Sequence, residues 1–149
     1  MNSLFDENHA NQILRRIKQL RPDSQQNWGK MNVAQMLAHC SSFQDIATGS
    51  STASRSWLGV LIGRMVKPVF YNDKPLPQNM STIPTIIIAD NREVEKEKEI
   101  LIQKIIRFQK KGPEICTKKP HPFFGKLSPD EWGRGLYKHL DHHLKQFSV

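Results

Sequence analysis

The segment from Ser128 to Phe147, SPDEWGRGLYKHLDHHLKQF, restricts the fold more than any other part of the chain. Ser128 stands as an N-cap, Pro129 fills the first helical position, and Glu131 follows three residues after the serine. That is the spacing of a capping box, and it sets where a helix begins. At about 100° per residue, Trp132, Leu136, Leu140, Leu144 and Phe147 form one narrow apolar stripe, so this helix must bury one side against other helices. His139 and His143 lie on or beside the same stripe. Residues four apart are neighbours on a helix, so the two imidazoles can converge on one point, as two ligands of one metal ion do. His142 is turned about 100° from His143 and is expected to meet solvent.

Two readings of the histidine pair stand side by side. Buried histidines are often core residues hydrogen-bonded to backbone carbonyls. Two inward imidazoles among leucines, however, carry a desolvation cost that a shared metal ion offsets at both rings. HxxxH is short and common, so a third ligand elsewhere in the chain has to decide.

A chain of 149 residues is expected to form one domain with a core that needs no staples. The N-terminus, MNSLFDENHANQILRR, is polar and amphipathic, unlike a secretory signal, and the apolar stretch Trp57 to Ile62 is far shorter than the roughly 20 residues that cross a bilayer. A cytoplasmic protein without a membrane partner is the expectation. Cys40 and Cys116 have no CxxC neighbour and suggest no disulfide. The formal charge of +8 raises nucleic-acid binding. The cations are nevertheless scattered over Arg15 to Arg21, Lys96 to Lys111 and Lys118 to Lys126, with no stripe of interleaved aromatics, which fits a solvated surface better. Such a charge also suits an anionic small substrate.

Taken in order, a first helix capped by Asp6 or Asn8 runs to about Leu20, with Ile13, Leu14, Ile17 and Leu20 inward and Arg21-Pro22 ending it. His9, in its first turn, has no visible partner. Trp28 is expected to pack on the bundle ahead of a second helix, which starts after the N-cap Asn32 and stops at Gly49. Met36, Cys40, Phe43 and Ala47 make the core stripe of that helix, and His39 sits at its edge, where a third ligand should be. Cys40 is a rival ligand, but its central position suits a small packed hydrophobe. Gln35 is placed either to hydrogen-bond the imidazole or to face water.

Residues Gly49 to Asn91 read as a long irregular crossover, with a short glycine-interrupted helix from Trp57 to Val66, prolines that forbid long regular structure, and Thr85 to Ala89 as an extended piece over the bundle. A third long helix, NREVEKEKEILIQKIIRFQKKG, places Val94, Leu101, Ile105 and Phe108 inward. The HPFFG turn at His121 follows. His121 is an outer ligand, an acid/base group or a structural residue, the last being the commoner use of a histidine fixed against such a turn.

Four long helices with these histidines resemble the DinB/YfiT-like superfamily of metal-dependent bundle proteins, and a domain-of-unknown-function branch of it in particular. NVAQMLAHC at Asn32 to Cys40 and HPFFGKLSPDEWGRGLYKHLDHHLKQF at His121 to Phe147 carry the resemblance. It implies an all-α, DinB-like four-helix bundle with a long irregular crossover between the second and third long helices. It also implies a divalent metal, zinc or nickel, held by His39, His139 and His143, with Gln146 completing an H-x-x-Q ending. Characterised relatives imply a thiol S-transferase using a low-molecular-weight thiol, and sometimes a homodimer. A small-molecule hydrolase is the rival enzyme, and a non-catalytic binding or stress-response module, metal-stabilised or metal-free, the rival outside enzymology. The branch has no established reaction, and no catalytic group beyond the ligands can be named. Leu140, Asp141 and His142 separate the two helical histidines, so the glutamate base of HExxH proteases is missing.

Overall fold

The expected helix starts are built by the expected side chains. In the computed structural model, which describes residues 1–80 and 83–149, six α-helices follow one another: α1 (Glu7–Gln19), α2 (Val33–Thr48), α3 (Trp57–Val66), α4 (Pro68–Tyr71), α5 (Val94–Lys111) and α6 (Pro129–Gln146). Asp6 caps α1 by accepting the His9 amide at 2.9 Å. Ser128 and Glu131 close a reciprocal capping box on α6, with bonds of 3.2 and 2.8 Å. Each cap satisfies amides that the first turn leaves without helical partners. Gln35 does not reach His39. Its side chain closes a second capping box with Asn32 at the start of α2 and donates to the Asp90 carbonyl.

The architecture is an all-α bundle. Its long helices pack in pairs, α2 on α5 and α6, α1 on α5 and α6. One continuous core joins Ile13 and Ile17 of α1, Met36 and Leu37 of α2, Leu101, Ile105 and Phe108 of α5, and Trp132, Leu136 and Leu140 of α6. Cys40 is buried in this core as the packed hydrophobe its stripe position suggests, and burial pushes its thiol well above the usual range.

Between α2 and α5 the crossover forms α3 where a short helix is expected, then α4, then a 3-10 turn at Pro84–Ile86; Ser81 and Thr82 lie outside the described residues. α4 matters to the site because it delivers Phe70 into the core. A Cβ on Gly135 would come within 2.0 Å of the Phe70 ring, so glycine in mid-α6 is what admits that ring. The run Thr85 to Ala89 is not extended throughout: Thr85 and Ile86 belong to a 3-10 turn, and the backbone is extended at Ile87. Pro84 starts a tight turn, which buries Ile86 and aims its carbonyl at α2.

Candidate metal centre

His39 comes from the middle of α2, and His139 and His143 from successive turns of α6. The packing of α2 on α6 brings the three together, with one ring nitrogen from each lying within 4.8 Å of the others. The ring centroids are 5.1 Å apart for His39 and His139, 4.9 Å for His39 and His143, and 4.6 Å for His139 and His143. His39 and His143 are buried, and His139 is partly buried. Helical periodicity puts His39 at the edge of its stripe; it is instead 2% exposed, because the Ile86 turn closes over it.

Hydrogen bonds at the outer nitrogens decide what the inner ones offer. The Ile86 carbonyl can only accept, so the His39 Nδ1–H donates to it at 2.9 Å and Nε2 is left with its lone pair. Gln146 donates its amide N–H to the Trp28 carbonyl, which orients its Oε1 to accept the His143 Nδ1–H at 2.9 Å. His143 Nε2 is likewise left as a free lone pair. His139 Nε2 approaches His39 Nε2 to 3.1 Å. Two facing lone pairs at that distance repel unless a hydrogen or a cation lies between them. Two nitrogens on one tetrahedral zinc, bound at about 2.0–2.1 Å, stand about 3.3–3.4 Å apart, so the His39–His139 spacing suits an ion of this size, and the three nitrogens, within 4.8 Å of one another, would draw closer around it. The donor set fits as well, since neutral imidazole suits both zinc and nickel.

Electrostatics keep the rings neutral, as ligands must be. Burial lowers the pKa of His39 against the opposing pull of its bond to Ile86. Burial, followed by the neighbouring His143 and His39, holds His139 well below the usual histidine range. Burial and then His39 bring His143 down to about 3, although the Gln146 bond works in the other direction.

His121 stands apart from the three. Its Nδ1 accepts the Phe123 and Phe124 amides at 3.0 and 3.1 Å, which locks the turn and leaves the hydrogen on Nε2. Nε2 and the Trp132 Nε1–H have no partner among the described residues, and their rings form an aromatic box with Phe43 and Phe70. The structural reading of His121 holds. Phe43 joins this box to the cluster, its ring 4.4 Å from that of His139.

His142 is not free in solvent, contrary to its position on the helical wheel. It is half-buried and meets the Trp28 ring edge-on at 5.7 Å, in a recess of about 130 Å³ shared with Leu76 and Lys138. His9 does find partners, the Ser3 amide and the Tyr137 ring. A larger groove of about 580 Å³ runs between α2 and α5, but it contains none of the cluster histidines and is crossed by the Lys104–Asp45 and Arg92–Glu97 ion pairs. Side-chain pattern cannot reveal the Ile86 carbonyl, because a turn carbonyl leaves no mark in it. The role of Gln35, by contrast, has a signal, since N-x-x-Q spacing after Asn32 is a capping pattern.

An acid-stability prediction follows from these neutral rings. Burial, then Arg55, lowers the pKa of His121 to about 3, as burial lowers that of His143. The unfolded chain takes up protons at these histidines near pH 6.5, while the folded chain resists until about pH 3, so their contribution is complete above pH 6.5 and is lost as pH falls through that window. At pH 5 each group should cost the metal-free protein about 2 kcal/mol. Urea unfolding at pH 7 and pH 5 checks it; equal midpoints would contradict it.

No curated protein and no solved structure matches the chain. The family described as "Protein of unknown function (DUF1569)" matches residues 3–149, and the chain belongs to that family.

Proposed function

We propose that the protein is a metal-dependent enzyme of the DinB-like kind, with His39, His139 and His143 as the ligands of one zinc or nickel ion. The observation that carries the reading is the convergence of three histidines, two of whose outer nitrogens are already engaged so that their inner lone pairs are free. Partners of that kind fix the tautomer and orientation of metal-binding imidazoles. A bound ion with an open position supplies Lewis acidity toward a substrate oxygen or sulfur. The chain's own residues do the rest: Ile86 and Gln146 orient the rings, and Phe43 and Phe70 exclude water on one side. The partly exposed edge of His139 is the side by which a small substrate enters. A low-molecular-weight thiol is the favoured substrate, with S-transfer ahead of hydrolysis.

One observation favours a non-catalytic, metal-stabilised module instead. The groove of about 580 Å³ between α2 and α5 is lined by none of the three histidines. Incubating metal-loaded protein with glutathione or cysteine and an alkylating electrophile separates the two readings. Consumption of thiol by wild type but not by a His143→Ala variant supports the enzyme. Identical rates for both proteins and buffer, together with the same result for ester and amide substrates, would leave the scaffold.

The outer partners are expected to matter measurably. Gln146→Ala should lower metal affinity by about 10–100-fold with little change in helix content, read by competition with a chelator and by circular dichroism. Unchanged affinity would mean that the Gln146 bond does not support a ligand.

A further inference from the structure

Helix α3 is turned inside out. Its buried residues are Gly59 and Gly63, and they seat against the loop that precedes α6. A Cβ on Gly59 would lie 2.6 Å from the Phe123 carbonyl oxygen, and one on Gly63 only 2.0 Å from the same atom. The Ser56 amide donates to the Pro122 carbonyl at 3.0 Å, pinning the start of the helix to the same loop. With the glycine side toward the protein, the large side chains point outward. Trp57 is 75% exposed, Leu61 67% and Met65 80%, with Val60, Leu58 and Ile62 exposed beside them. Trp57, Leu61 and Met65 recur every four residues and form one continuous stripe. A patch of this kind marks an interaction surface.

The chain segments around the stripe carry charge of one sign, the acid beside them, Glu131, being paired with Lys67 at 2.8 Å. From Ile46 to Asn72 there is no aspartate or glutamate, while Arg55 and Arg64 are exposed. The loop that seats α3 is similar: from Ile115 to Leu127 it has no acid, and Lys118, Lys119 and Lys126 are exposed. A two-fold pairing of α3 with a second copy would set these cations against their own counterparts, which costs energy. An anionic lipid surface would neutralise them, and a tryptophan beside basic residues on a short apolar helix suits the depth of the headgroups. α3 is too short to cross a bilayer, in keeping with the absence of any helix among the described residues long and apolar enough to do so.

We propose that α3 is a membrane-surface helix, lying in the plane of an anionic bilayer with Trp57, Leu61 and Met65 immersed and Arg55 and Arg64 at the headgroups. This surface is separate from the histidine cluster and does not depend on a bound metal.

The test is co-sedimentation of the whole protein with vesicles of phosphatidylcholine alone and of phosphatidylcholine mixed with phosphatidylglycerol, alongside light scattering of the protein in solution. Binding to the mixed vesicles, and not to phosphatidylcholine alone, is expected. It should fall about tenfold or more in the double variant Leu61→Gln, Met65→Gln, and should also weaken in Arg55→Gln, Arg64→Gln. All four positions are exposed, and circular dichroism should show unchanged helix content. No binding, equal binding to both vesicle types, or equal binding by wild type and the apolar double variant would overturn the proposal. A dimer in solution that the apolar double variant dissociates, with vesicles left unbound, would overturn it in favour of a second copy.

Discussion

Replacing His143 with alanine should lower metal affinity by more than about 100-fold while α6 stays helical. The lower bound comes from the outer partners, whose loss alone costs about 10–100-fold; removing the ligand must cost more. His143 is held at both ends, its Nδ1–H by Gln146 and its ring by packing against His39 and His139, and among the described residues no fourth ligand groups with these three. The nearest ring outside the cluster, His142, lies 5.2 Å away and is turned toward Trp28. The fold should survive because alanine is the better helix former and the leucine stripe is untouched. In metal-free protein the variant should also be less sensitive to acid, since it no longer carries an imidazole whose folded pKa is about 3. Chelator competition reads the affinity, circular dichroism the helix content, and urea unfolding at pH 7 and pH 5 the acid response. Full metal occupancy in the variant would remove His143 from the site.

The largest loss of stability is expected for Phe43→Ala, at about 3–5 kcal/mol. Phe43 is 4% exposed and its ring lies 5.9 Å from that of Phe70, 5.8 Å from His121 and 6.2 Å from Trp132. These neighbours cannot close the space. Phe70 is lodged against Gly135, His121 is fixed by two backbone amides, and Trp132 is fully buried. A cavity therefore remains, and cavities add to the transfer cost of the lost ring. The same substitution uncovers one face of His139, so metal affinity should fall as well, though by less than for loss of a ligand. Urea unfolding gives the first number and chelator competition the second. A loss below about 1 kcal/mol would mean that the box relaxes, contrary to its packing.

Elements carried by local chemistry are legible in the residues themselves. Ser128, Pro129 and Glu131 mark the start of α6 whatever surrounds them, and the leucine stripe after them marks the face on which His139 and His143 lie. Asn32 and Gly49 bound α2 in the same way, so periodicity assigns His39 a face, although not its depth. What stays hidden depends on contacts between distant segments. The burial of His39 is due to a turn at Pro84–Ile86, and nothing in the residues Thr85 to Ala89 says that one carbonyl will meet an imidazole from α2. Phe70 is equally invisible, because its place in the core is set by Gly135 on a different helix. The direction of α3 cannot be read from hydropathy either, since its apolar residues suggest a core helix and its glycines an interruption. Seated on Phe123, the glycines are instead its inward face.

Elemental analysis of tag-free protein purified without chelators tests the central claim most directly, on wild type and on the triple variant with alanine at His39, His139 and His143. About one equivalent of zinc or nickel in wild type and none in the variant is the predicted result. Wild type without metal even after reconstitution, or a triple variant that keeps its metal, would contradict it.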